Sequence, residues 1–88
     1  MVKRAKLEII RDILKIIQDH HSIRITPLIR KSNMSSERFR EYYNELIKKE
    51  FVKELHMNGE KLISLTEKGA RFLEKYKTII HFIEEFEL

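Results

Sequence analysis

The chain has 88 residues, no cysteine, 18 basic and 14 acidic side chains and a formal net charge of +4. That length supports one small domain, and the lack of cysteine excludes a disulfide framework or a thiolate metal site. The modest positive balance permits an anionic partner such as nucleic acid without requiring one.

No apolar run approaches the roughly 18 residues that span a bilayer. Met1-Val2-Lys3-Arg4-Ala5-Lys6 leads straight into a charged amphipathic pattern, so neither a signal peptide nor membrane association is expected. From Ala5 to His20, Leu7, Ile10, Ile13, Leu14 and Ile17 form the stripe of an amphipathic helix. Ile9 and Ile16 widen that stripe to about half the circumference at about 100° per residue. One core face needs less, so the wide stripe means either deep burial within the domain or contact with two different surfaces, and Ile9 and Ile16 are the candidates for the second. Ser22-Ile23-Arg24-Ile25 alternates like an edge strand. Thr26 is placed as an N-cap with Pro27 at the first helical position, where its missing N–H costs nothing.

Residues 25–49 have the outline of a helix-turn-helix. A short helix buries Leu28 and Ile29, ends at Asn33, which tolerates left-handed backbone, and is followed by Met34 plugging the turn. Ser35 or Ser36 caps a second helix with Glu37 in its first turn. Phe39, Tyr43, Leu46 and Ile47 share the inner face of that helix, with Tyr42 at its edge. Glu37, Arg40, Glu41, Asn44 and Lys48 share the outer face. Residues 51–57 and 60–65 then read as two strands joined by Asn58-Gly59, a strong hairpin signal because both turn residues need positive φ. That register sets Val52 opposite Leu65 and Leu55 opposite Leu62, so both faces of the hairpin are partly apolar. Thr66 caps a last helix running to about Glu87. On it Phe72, Tyr76, Ile79, Ile83 and Phe86 recur at spacings of 4, 3, 4 and 3, a coiled-coil seam that Leu73 and Ile80 widen. The apolar residues beyond Tyr76, with terminal Leu88, exceed what a three-helix core can cover, so a second copy of the chain is the expected cover.

The order helix, short strand, helix, helix, hairpin, long helix is that of a winged helix: mainly α with a small β-hairpin. Residues 1–66 make the winged-helix domain and residues 67–88 a C-terminal dimerisation helix. Two stretches carry a family resemblance. Thr26-Pro-Leu28-Ile-Arg-Lys-Ser-Asn33-Met34-Ser35, followed by Phe39, Tyr42 and Leu46, is the first. The second is Ile63-Ser-Leu65-Thr66-Glu67-Lys68-Gly69-Ala-Arg-Phe72-Leu73-Glu74-Lys-Tyr76. Together they resemble a family of archaeal winged-helix DNA-binding proteins that includes the ten-kilodalton DNA-binding proteins of Sulfolobus. The resemblance implies a homodimer joined by an antiparallel coiled coil of the last helices, with DNA-binding domains at its two ends. Met34 stands where Leu is usual and Ile63 where Tyr is common. Glu50 stands where Gly often ends the second helix, so that helix is expected to stop without the left-handed cap.

Catalysis finds little footing. His20, His21, His56 and His81 lack metal-ligand spacing, no Gly-rich phosphate loop is present, and Ser35 and Ser36 read as caps rather than nucleophiles. No enzyme, metal or cofactor is expected. The expected partners are double-stranded DNA and a second copy of the chain, in the cytoplasm and associated with the nucleoid. A protein-interaction role for the same dimer is the alternative. Ser35, Ser36, Arg38, Arg40 and Asn44 are the candidates to approach the groove, while Arg30, Lys31, Lys53, His56, Asn58 and Lys61 are candidates for phosphates. Phe72, Tyr76, Ile79, Ile80, Ile83 and Phe86, with Ile9 and Ile16, are the candidate dimer contacts. The charge does not favour the recognition helix: residues 1–24 sum to +3, residues 25–35 to +2, residues 36–50 to zero, residues 51–66 to zero and residues 67–88 to −1.

Overall fold

A computed structural model of the chain describes residues 6–87. The N-terminal stretch Met1-Val2-Lys3-Arg4-Ala5 and the terminal Leu88 lie outside the described residues. The elements are α1 (Lys6–His20), α2 (Ile25–Ser32), α3 (Ser36–Lys48), β1 (Val52–Met57), β2 (Glu60–Leu65) and α4 (Glu67–Glu85). α1 packs against α2, β2 and α4 together. Three neighbours cover a wide face, and the buried set is accordingly Ile9, Ile10, Ile13, Leu14 and Ile17. Ile9, expected between copies of the chain, is 1% exposed and belongs to the core, whereas Leu7, expected inside, is 56% exposed. Ile16 is half-buried against the same core. Each fully buried aliphatic side chain of this kind contributes about 1.5–3 kcal/mol.

The segment after α1 forms no strand. Only Ile23 pairs, as an isolated bridge to Ile63, its N–H donating to the Ile63 carbonyl at 3.0 Å and its carbonyl accepting from the Ile63 N–H at 2.7 Å. α2 starts one residue before the expected cap. Arg24 occupies the N-cap position without a side-chain cap, and Pro27 sits in the third helical position. The physics expected of Pro27 is unchanged there. The first intrahelical N–H of α2 is that of Leu28, to the Arg24 carbonyl at 3.2 Å, so a proline just before it removes no bond.

The hairpin has the expected register, Val52 opposite Leu65 and Leu55 opposite Leu62. Its turn residues Asn58 and Gly59 have φ of 53° and 78°, the pair of positive values that a two-residue connection demands. Val52 and Ile63 are buried in the core, and Leu55 and Leu62 on the other face are half-buried.

The corner between α3 and α4 explains the Leu-Thr-Glu-Lys-Gly stretch. Glu50 takes the left-handed conformation itself, with φ of 62°, which corrects the expectation that α3 would end without such a cap. Its N–H donates to the Ile47 carbonyl at 3.0 Å, and the Phe51 N–H donates to the Leu46 carbonyl at 2.9 Å. This is a Schellman closure made with a non-glycine residue. Thr66 then ties α4 to the corner. Its hydroxyl donates to the Glu50 carbonyl at 2.6 Å and accepts from the Gly69 N–H at 3.1 Å, while its own N–H donates to the Phe51 carbonyl at 3.1 Å. The Lys68 ammonium donates to the Lys49 carbonyl at 2.9 Å and lies 5.2 Å from the centre of the Phe51 ring. Gly69 is required by proximity, since a Cβ there would overlap the Phe51 carbonyl oxygen.

α4 departs from the body of the molecule as it proceeds. Gly69 and Leu73 are buried, and no residue of α4 beyond Leu73 is. Tyr76, Ile80 and Ile83 are half-buried, and Ile79, Phe82 and Phe86 are 57%, 56% and 58% exposed. The helix stops at Glu85, slightly short of the expected end, with Phe86 in the C-cap position. Among the described residues no helix is long and apolar enough to cross a membrane.

Candidate nucleic-acid interface

α2, the turn and α3 form a helix-turn-helix, with Asn33 closing α2 and Ser35 opening α3. Asn33 ends α2 with φ of 61° and ψ of 38°, its N–H donating to the Arg30 carbonyl. The Ser32 hydroxyl donates to the Ile29 carbonyl at 2.6 Å, so this buried polar group is satisfied. Met34 packs against the core from the turn, and Ser35 is the cap of α3, its hydroxyl accepting from the Arg38 N–H at 3.2 Å. Of the two serines expected to cap, Ser35 does so, and Ser36 is the first residue of the helix. Phe39, Tyr43 and Leu46 are buried beneath α3, with the Phe39 and Tyr43 rings stacked at 5.7 Å. Ile47, expected on that inner face, lies at its exposed margin.

The outer face of α3 exposes Ser36, Glu37, Arg40, Glu41 and Asn44, with Arg38 alongside. Arg30 and Lys31 are exposed at the end of α2 that leads into the turn, and Lys53, His56, Asn58 and Lys61 are exposed on the hairpin. The hairpin is fixed to the motif by two polar links. Tyr43 of α3 donates its hydroxyl to Glu54 Oε2 at 2.5 Å, and Arg24, just before α2, pairs with Glu60 at 3.1 Å. Burial, reinforced by the Glu54 carboxylate, pushes the Tyr43 hydroxyl above its ordinary range. That hydrogen bond, with Lys61 at 3.3 Å from the same carboxylate, holds Glu54 below the usual carboxylate value.

Pairing sorts the cations in a way that a segment count does not. Lys6, Arg11, Lys15 and Arg24, four of the six basic residues among residues 1–24, are ion-paired with Glu45, Asp12, Asp19 and Glu60. Glu45 also accepts Lys49 at 3.3 Å, and the two lysines, Lys6 first, lower its carboxyl below the ordinary value. Among the described residues, Arg30, Lys31, Arg38, Arg40 and Lys53 have no ion-pair partner, and the same holds for Lys48 of α3 and Lys68, Lys75 and Lys77 of α4. Lys61 differs from the other candidate cations in being held by Glu54. Sequence reasoning overlooked Tyr43 and Glu54 as a pair. The signal was available, because the hairpin register places Glu54 on the same face as buried Val52, directly opposite Ile63. Among the described residues there is no group of three or more His, Asp or Glu side chains arranged to hold a metal.

A helix-turn-helix followed by a hairpin and a further packed helix defines a winged helix-turn-helix protein. The sequence profile of the winged helix-turn-helix family matches residues 3–84, and the chain belongs to that family. Among solved structures, F-93 of SSV1 is 33% identical with a TM-score of 0.69, the match covering 89% of this chain and 91% of that one. Sso10a-2, a DNA-binding protein from Sulfolobus solfataricus, is 24% identical with a TM-score of 0.76 over 96% of this chain and 86% of that one. The oxidized form of MarR from E. coli shares the fold at 23% identity and a TM-score of 0.69, over 75% of this chain and 48% of that one. No curated protein sequence matches the chain significantly. The archaeal winged-helix family expected from the two sequence stretches, and the fold, are thereby borne out.

Proposed function

We propose that the protein is a non-enzymatic, homodimeric DNA-binding protein, a transcription regulator or a nucleoid-associated protein of the cytoplasm. The observation that carries the reading is the pairing pattern. Cations of α1 are neutralised within the fold, whereas Arg30, Lys31, Arg38 and Arg40 of the helix-turn-helix and Lys53 of the hairpin are left to solvent. In this reading Arg30, Lys31, Lys53, His56 and Asn58 position the domain on phosphates, while Arg38, Arg40 and Asn44, with Ser35 and Ser36 at the helix start, approach base edges. The likeness to Sso10a-2, a DNA-binding protein, supports the same assignment.

The domain division at residue 66 and the dimer are part of this proposal. Support for the dimer comes from α4, whose Ile79, Phe82 and Phe86 lie open to solvent while Ile80 and Ile83 are only half-covered. Charge along the helix favours an antiparallel partner: residues 67–77 sum to +2 and residues 78–88 to −3. Phe72, Tyr76, Ile79, Ile80, Ile83 and Phe86 form the proposed seam, with Ile16 at its edge.

A protein-contact role is favoured by one feature, the exposed Glu37 and Glu41 on a recognition helix of zero net charge. A salt titration of duplex binding decides between the two. Neutralising several phosphates makes affinity fall by about a thousandfold or more between roughly 50 and 200 mM salt. No binding to duplex DNA at low salt sinks the DNA reading. Arg40→Ala and Asn44→Ala then separate the two DNA roles, since a regulator loses sequence preference and an architectural protein loses only overall affinity.

A further inference from the structure

We infer that Glu54 withholds Lys61 from DNA, so that the hairpin enters binding with one fewer available cation than its sequence offers. The inference rests on the DNA-binding reading of the preceding subsection. Glu54 Oε2 carries two donors, the Tyr43 hydroxyl at 2.5 Å and the Lys61 ammonium at 3.3 Å. The first anchors it. Tyr43 is 8% exposed and stacked on Phe39 in the core, so the carboxylate cannot swing out with the lysine. Lys61 stands opposite His56, two cross-strand pairs beyond Glu54 and Ile63 and so on the same face of the hairpin, and its side chain is 46% exposed. The ion pair is therefore at the surface, where a phosphate can compete for the ammonium only by leaving an anchored carboxylate behind. Lys53, one residue before Glu54, points to the opposite face of the hairpin and has no such partner among the described residues. Glu54 is a tuning residue that sets how much of the wing's charge reaches a phosphate, while its bond to Tyr43 holds the hairpin against the recognition helix.

A double-mutant cycle on duplex DNA, read by fluorescence anisotropy over a salt series, tests this. Glu54→Gln keeps an acceptor for Tyr43 and releases Lys61. It should tighten binding by about two- to fivefold per wing and steepen the plot of log affinity against log salt by about 0.9 per wing. Lys61→Ala should change the wild-type affinity by less than about twofold, yet abolish both gains in the Glu54→Gln background. If Lys61→Ala weakens both backgrounds equally, Lys61 already sits on DNA and the inference is wrong. An unchanged salt slope in a folded Glu54→Gln protein overturns it as well. Should Glu54→Gln fail to fold, Lys61→Ala alone still decides: a loss of about 0.9 in the wild-type slope refutes the withholding. Absence of any wild-type binding at low salt removes the DNA reading and this inference with it, whereas binding with an additive cycle removes only the inference.

Discussion

Gly69→Ala sets helix propensity against sterics, and the two predict opposite signs. In an open helix interior the change gains about 1 kcal/mol from propensity. Here the new Cβ would overlap the Phe51 carbonyl oxygen, with Leu65 Cδ2 3.3 Å away on another side. That oxygen is not free to move, because it accepts the Thr66 N–H at 3.1 Å and belongs to the corner that Thr66 also grips through Glu50. Relief requires the first turn of α4 to back away from the corner. Overpacking of this kind costs about 1–3 kcal/mol, and loss of the Thr66 N–H bond adds about 1 kcal/mol. Subtracting the propensity gain leaves about 1–3 kcal/mol of destabilisation, or roughly 5–20 °C in Tm for a chain of this size. Thermal unfolding followed by far-UV circular dichroism, at fixed protein concentration because a dimer shifts Tm by mass action, gives the answer. A Tm equal to or above that of the unsubstituted protein refutes the account of this corner.

Glu50→Gly should stabilise the fold by roughly 0.5–1 kcal/mol, since a left-handed residue with a side chain gives way to one without the steric cost; a lower urea midpoint contradicts this. Glu54 has a folded-state carboxyl held low chiefly by Tyr43 and then by Lys61, so its stabilising contribution is present above the unfolded value of about 4.3 and is lost as pH falls through the folded value. The urea midpoint should therefore decline below about pH 4.3 less steeply in Glu54→Gln than in the unsubstituted protein, and identical profiles count against the pairing. Ile79→Lys with Ile83→Lys should convert the proposed dimer into a chain of monomer mass by light scattering; an unchanged mass refutes the α4 seam.

Periodicity made most of the fold legible. Asn58-Gly59 defined the hairpin and its register, Asn33 and Ser35 marked the turn, and recurrence of apolar residues every three or four positions marked the helices. What escaped was set by neighbours distant in sequence. The inward face of α1 is chosen by α2, β2 and α4 together, so Ile9 is buried and Leu7 is not. A stripe covering half the circumference cannot state which edge meets them. Glu50 adopts left-handed backbone although Gly is the usual choice, because Thr66 and Phe51 close the corner around it. In the candidate interface the side chains were recognisable by type, but their availability was not. Lys6 and Glu45 are far apart in sequence and pair at 2.9 Å, which a segment-by-segment charge count cannot register.

That redistribution bears on how a neutral recognition helix can serve a DNA-binding protein. Among the described residues, five of the cations without an ion-pair partner are candidate DNA contacts, Arg30, Lys31, Arg38, Arg40 and Lys53, of which Arg38 and Arg40 lie on α3. If all five neutralise phosphates, the salt slope is about −4.5 per protomer and about −9 for a pair. Glu37 and Glu41 oppose α3's approach to any phosphate, so the helix can settle only where a base donor such as a cytosine amino group donates to a carboxylate, or where the flanking cations outweigh it. One domain on its own is then a weak binder. Joining two raises the local concentration of the second domain at the DNA once the first has bound. In the proposed dimer the exposed apolar face of α4 and the acidic centre of α3 are thus complementary features: pairing of two chains would supply the affinity that the recognition helix, by its own charge, does not.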